Sequence, residues 1–304
     1  MKKVFVLSIF IVAVSILFAG SVAMQAQGAD EGPWPVYAIT YGRGIILTSP
    51  ESANNPNFPD SEIWTVRSSG ADVPLAALAY GKDTFVAVGA RGTIVTGTRD
   101  GSTWTIRQSG VTSDLWAIKF ARGIFVAVGS EGTVITSPDG YAWTKRANLT
   151  TYALRNIAYG EGNFVTIGEM GAIFNSQDGI YWTRLKTQFT DHLFGIFYAR
   201  GTFVAVGGNG RIMTSTDDGA TWTQRYSGTT EYLSAVTYGN DKFLAVGAYG
   251  TIVTSPDSLN WATVKTGSQS WFGAAVYARK KFVVVGTDGA ILTSQDGAYW
   301  SPKL

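Results

Sequence analysis

From residue 36 onward, apolar and polar positions recur in one fixed order about every forty residues. Each full unit opens with a six-residue run that ends in Tyr or Phe: LAALAY from Leu75, LWAIKF from Leu115, LRNIAY from Leu154, LFGIFY from Leu193, LSAVTY from Leu233 and FGAAVY from Phe272. After a short turn comes a continuous apolar run, FVAVG at Phe85, Phe125 and Phe203, FVTIG at Phe164, FLAVG at Phe243 and FVVVG at Phe282. Such runs suit strands covered on both faces. A Gly-x-x-Gly turn follows each one, where glycine permits the positive φ that tight hairpins need. A third strand of the type TIVTS then leads to a fourth that is expected to begin at a tryptophan. Aligned on that residue, Trp64, Trp104, Trp143, Trp182, Trp222, Trp261 and Trp300 are spaced 40, 39, 39, 40, 39 and 39. Seven copies of a four-strand unit predict an all-β fold, a seven-bladed β-propeller built from four-stranded antiparallel blades. A β-solenoid is the rival architecture, but its coils are generally shorter and it requires terminal caps.

The first blade is expected to be incomplete. Residues 37–49 match residues 243–255 position for position, so this copy starts at the second strand of the unit. Its first strand would fall on residues 27–37, where Pro33 and Pro35 remove ladder donors, and no ordered innermost strand is expected there. Trp64 lies fifteen positions after Ser49, whereas Trp143 lies six after Ser137, which predicts a protruding loop.

The turn between the third and fourth strands reads Ser137-Pro-Asp139-Gly140-Tyr-Ala-Trp143, Ser176-Gln-Asp178-Gly179-Ile-Tyr-Trp182, Ser294-Gln-Asp296-Gly297-Ala-Tyr-Trp300 and, in fuller form, Ser215-Thr-Asp217-Asp-Gly219-Ala-Thr221-Trp222. It resembles the Asp-box, or BNR, repeat of sialidase-type, sortilin-type and photosystem II assembly factor-like propellers. The resemblance covers residues 36–304. Two copies depart from the pattern: Arg99 stands where Asp217 does, although Asp100-Gly101 survives, and Ser258 replaces glycine after Asp257. The residues suit a folded hairpin, in which Asp accepts backbone N–H groups, glycine takes the left-handed position and tryptophan covers the junction with the neighbouring sheet. The motif is therefore read as structural, and each of its tryptophans is expected to be largely buried.

Composition agrees with many short strands: Gly is abundant at 36, aromatic residues reach 13% and charged residues only 15%. Residues 1–23 carry Lys2 and Lys3 ahead of a long apolar run, and Ser21-Val22-Ala23 offers a cleavage site, so they read as a secretory signal peptide. An uncleaved membrane anchor is the alternative and the one expected route to a membrane. Residues 24–35 read as a linker and 36–304 as one propeller, exported to the periplasm or the outside. Removing Lys2 and Lys3 leaves 24 − 2 = 22 basic residues against 22 acidic ones, a neutral chain that argues against nucleic acid. Cys is absent, which excludes a thiolate nucleophile, a Cys-ligated metal and a lipoprotein cysteine.

In a propeller of this strand order, the second-to-third turns and the blade-to-blade connections open on one face around the central channel. Along this chain the apolar strands barely vary while the connections do, the contrast a binding face shows. The candidate binding residues are Trp116, Arg155 and Phe194, each just after the leading Leu of a unit, with Tyr152, His192, Glu231, Tyr232 and Trp271 in the connections. That these groups merely plug the channel stands as the structural alternative. Glycoside hydrolysis, the activity the sialidase resemblance implies, needs two carboxylates, for which Asp114, Asp191 and Glu231 are available. A sialidase also needs an arginine cluster, and only Arg155 and Arg91 qualify; the arginine-bearing N-terminal motif of sialidases is absent. His192 is the sole histidine, so no His metal cluster is possible, and no metal, cofactor or catalytic residue is assigned. The sequence thus predicts an exported, monomeric, non-enzymatic scaffold that takes a protein or glycan partner through the channel-mouth face. The alternative is a sialidase-like glycoside hydrolase acting there through Asp191 or Glu231.

Overall fold

The computed structural model describes residues 36–41, 44–50, 65–278 and 280–302. They form seven antiparallel sheets, six of four strands and one of three. The three-stranded sheet, blade 1, comprises Val36–Tyr41, Ile45–Pro50 and Thr65–Ser68. Blades 2 to 7 open with Leu75–Gly81, Leu115–Ala121, Leu154–Gly160, Leu193–Ala199, Leu233–Gly239 and Phe272–Ala278. Strand order within each blade follows chain order, and the opening strands of successive blades from 2 to 7 pack against one another, so they are the inner strands. The described residues form a seven-bladed β-propeller whose first blade comprises three strands.

Blade 1 contains the second, third and fourth strands of the unit, as the alignment predicted. The expectations for the signal segment, the linker and the loop before Trp64 fall outside the described residues, as does the missing strand over residues 27–37 except for Val36 and Tyr37, which begin the second strand of the unit.

The continuous apolar runs serve two interfaces at once. In blade 3, Phe125, Ala127 and Ile135 join a cluster with Val86, Val88 and Ile94 of blade 2. The alternating Val126, Val128 and Val134 join Leu154, Ile157 and Phe164 of blade 4. Side chains of a strand alternate faces, so a strand between two sheets must be apolar at every position. The phenylalanines that open these runs, from Phe85 to Phe282, are all buried.

The Ser-x-Asp-Gly turn is a closed hydrogen-bond unit. In blade 3, Asp139 Oδ1 accepts from Tyr141 N at 2.8 Å, Ala142 N at 3.0 Å and Ser137 Oγ at 3.0 Å. Gly140 takes φ 84°, and Trp143 Nε1 donates to its carbonyl at 2.9 Å. Both departing copies keep this geometry. Asp100 replaces the displaced aspartate and accepts from Ser102 N and Thr98 Oγ1, while Ser258 adopts φ 63° in the glycine position and accepts from Trp261 Nε1.

Two expectations need correction. The tryptophans do join the clusters between blades, yet only Trp261, at 9% exposure, is buried; the other described ones are half-buried, although all of them make the same bond to a turn carbonyl. The fourth strand begins at its tryptophan only in blade 2, at Trp104–Arg107; elsewhere it starts one residue later, since the indole-bearing residue still belongs to the turn.

Candidate binding face at the channel mouth

Each connection runs from the outermost strand of one blade to the innermost strand of the next, so its last residues arrive at the channel mouth. Backbone hydrogen bonds fix it to the second-to-third turns. Gly208 N donates to His192 O, Ala248 N to Tyr232 O and Thr287 N to Trp271 O, each at 2.9 Å. Gly210 N donates to Glu231 O at 2.9 Å and Gly250 N to Ser270 O at 2.7 Å, which ties each turn to the connection that leaves its blade. Turns and connections therefore share one face.

The first glycine of the Gly-x-x-Gly turn is extended, at φ −169° for Gly207, so positive φ is not its role. It gives room: a Cβ there would lie 2.0 Å from His192 O. The positive φ falls on the second glycine and, unexpectedly, on the residue before it. Arg91, Glu131, Met170, Asn209, Tyr249 and Asp288 all sit at φ between 52° and 56°. A left-handed non-glycine residue costs roughly 1 to 2 kcal/mol, so each of blades 2 to 7 carries this cost to present a different side chain.

The position after each leading Leu is special for a reason the sequence does not state. The register between the first two strands shifts there in blades 2 to 7, so Ala76, Trp116, Arg155, Phe194, Ser234 and Gly273 are β-bulge residues. A bulge residue is released from ladder pairing and its side chain is re-aimed.

The predicted residues form two groups. In one, the rings of His192, Phe194, Tyr232 and Trp271 follow one another at centroid distances of 6.3, 6.1 and 6.1 Å, tilted by 35°, 40° and 33°. This row crosses blades 5 to 7. Tyr232 and Trp271 remain exposed, and Tyr249 stands beside them at 68% exposure. In the other group the Arg155 guanidinium lies 4.9 Å over the Trp116 ring and pairs with Glu169. Burial favours the neutral Glu169 acid, but the hydrogen bonds from Arg155 and Ala153 N, with the charges of Arg155 and His192, outweigh it and hold the carboxyl below its usual range. Tyr152 is exposed, and the described residues give it no ring contact. The Glu231 side chain has no partner among the described residues.

Of the other carboxylates, Asp114 Oδ1 accepts from Arg91 N at 2.8 Å. Asp191 accepts from Asn209 Nδ2 at 2.6 Å and Arg211 Nε at 2.9 Å, and these bonds with the guanidinium charge overcome its burial and lower its pKa. Sequence reading missed Glu169, Met170, Arg211 and Tyr249. The signal was present, since Met170 and Tyr249 occupy the variable middle of the Gly-x-x-Gly turns. No group of three or more His, Asp or Glu side chains able to hold a metal ion occurs among the described residues.

Comparison with known proteins agrees with this architecture. The DUF6242 beta propeller domain family matches residues 112–232, less than half of the chain. No curated protein matches it. Among solved structures, the computationally designed Ika8 protein superposes with a TM-score of 0.70 at 12% identity, covering 96% of this chain and 89% of its own. YCF48 bound to D1 peptide gives 0.62 at 19% identity, covering 93% and 86%. YCF48 from Cyanidioschyzon merolae gives 0.60 at 17%, covering 75% and 84%. At these identities the likeness is one of fold.

Proposed function

We propose that this protein is an exported, monomeric, non-enzymatic scaffold whose Ser-x-Asp-Gly turns are Asp-box turns and whose channel-mouth face captures a protein partner. The ring row from His192 to Trp271 carries the reading. Exposed aromatic rings on a rigid scaffold bury large area at low entropic cost and dominate protein interfaces. A similarly folded YCF48 has been solved bound to D1 peptide, which favours a protein over a glycan. The hydrolase alternative loses support because it needs two available carboxylates, whereas Asp191 is held by Arg211 and Asn209 and Asp114 by a backbone N–H. Of the three carboxylates the sequence offered for that chemistry, only Glu231 is left unpaired among the described residues.

The test is capture from the exported fraction by immobilised wild-type chain and by a Trp116→Ala, Tyr152→Ala, Trp271→Ala variant. The variant is expected to lose the captured protein while keeping its circular dichroism. Capture that survives all three changes overturns the reading, as does turnover of a glycan that disappears with Glu231→Gln.

A further inference from the structure

Asp191 and Glu231 occupy equivalent places in successive blades, each two residues ahead of the leucine that opens an inner strand, Leu193 and Leu233. Around Asp191 the arrangement is complete. Asn209 and Arg211 donate to its two oxygens, and the Arg211 guanidinium lies 5.4 Å over the Phe189 ring. The same three parts, ring, guanidinium and carboxylate, recur in Trp116, Arg155 and Glu169.

One blade further on, the residues equivalent to Asn209 and Arg211 are Tyr249 and Thr251, and both donors to the carboxylate are gone. The Glu231 backbone is still held, with its N–H donating to Thr229 Oγ1 at 3.0 Å and its carbonyl accepting from Gly210 N at 2.9 Å. Its half-buried side chain has no partner among the described residues, and Tyr232 and Tyr249 supply exposed rings next to it along the chain and across the turn. Asp288, exposed on the turn bonded to Trp271, is likewise without a partner among the described residues. Lys265, the cation of the connection beyond, stands at that connection's outer end and pairs with no carboxylate among the described residues.

Resting on the channel-mouth reading above, we propose that the captured partner supplies the missing group: an arginine whose guanidinium pairs with Glu231 and lies against the Tyr232 and Tyr249 rings. A guanidinium is planar and forked, so it serves a carboxylate and a ring face together, which a lysine ammonium does not. The Glu231 oxygens are open to solvent rather than sealed off, so an arriving guanidinium can reach them and gain a charge-assisted pair.

The test uses three fluorescein-labelled Gly/Ser decapeptides that carry arginine, its neutral isostere citrulline or glutamate at the same two positions, titrated against the full chain by anisotropy. The arginine peptide is expected to bind about tenfold more tightly than the citrulline peptide, the gain of a charge-assisted pair. Glu231→Gln is expected to erase that difference. Thr251→Arg combined with Tyr249→Asn rebuilds the Asp191 arrangement within the chain, and is expected to abolish the preference while raising the melting temperature. Equal binding of arginine and citrulline peptides, binding of none of the three, or a preference that survives Glu231→Gln overturns the assignment. Partner capture by Tyr232→Ala, Trp271→Ala chain, run in parallel, separates the two readings: retained capture sinks the channel-mouth reading itself, whereas lost capture with no arginine preference sinks the arginine alone.

Discussion

Trp271 Nε1 donates to Ser234 Oγ at 2.6 Å, so an indole from the entrance to blade 7 is moored to the bulge residue of blade 6. The bond satisfies the single polar atom of the ring and leaves 47% of the residue exposed with its orientation set. Ser234→Ala is expected to weaken partner capture several-fold by loosening the ring, while costing about 1 kcal/mol of stability, the usual net worth of one hydrogen bond. Anisotropy or capture assays beside urea melts check both halves; unchanged capture means the mooring has no role in binding.

The tryptophans of the Ser-x-Asp-Gly turns differ in burial, and their removal should differ in proportion. Trp261→Ala is expected to cost about 3 to 5 kcal/mol, the range for a buried aromatic, and the half-buried Trp222→Ala about half of that. Urea midpoints with unchanged slope measure the two; a larger loss at Trp222 contradicts the burial argument.

Glycines with two different roles predict two different penalties. At Gly207 the backbone is extended but an added Cβ meets His192 O at 2.0 Å, so Gly207→Ala must push the connection off the turn. Gly123 has φ 76° and open space around it, so Gly123→Ala costs only the left-handed strain, about 1 kcal/mol. Thermal melts should rank Gly207→Ala well below Gly123→Ala, and only the former should disturb binding at the channel mouth.

The turn aspartates set the acid limit of the fold. Hydrogen bonds from Thr98 and Ser102 lower Asp100 to about 2, and Asp139, Asp178, Asp217, Asp257 and Asp296 are lowered by the N–H and hydroxyl groups they accept from. Their folded pKa values lie below the unfolded value of about 3.9, so the unfolded chain binds more protons in acid. The stabilisation is complete above about pH 4 and is lost as pH falls toward and below about 2. Melting temperature should drop across that window, and Asp139→Asn should make the drop shallower; a flat profile contradicts the assignment.

Much of the fold was legible because its physics is local and repeated. A strand covered on both faces, such as Phe125 to Val128, has to be apolar throughout, and the period of the tryptophans counts the blades. That the connections and the second-to-third turns share one face was legible too, because both recur at fixed places in every unit. What escaped were relationships between segments far apart in the chain. Nothing near Phe194 announces a bulge, because the register slip depends on pairing with Val206 and Gly207. The occupation of Asp191 depends on Arg211, twenty residues later, and the depth of each tryptophan is set by packing outside its own turn, since the buried Trp261 makes the same indole-to-carbonyl bond as the half-buried ones.

The left-handed residue of the second-to-third turns has a further consequence for how this molecule can be altered. Arg, Glu, Met, Asn, Tyr and Asp are all accommodated at nearly one backbone geometry, so identity at that position is decoupled from the shape of the loop that carries it. Each of blades 2 to 7 therefore offers an exchangeable socket on a frame that does not deform when the plug is changed. Side chains on these sockets can be exchanged one blade at a time, with the neighbouring blades serving as unchanged internal references.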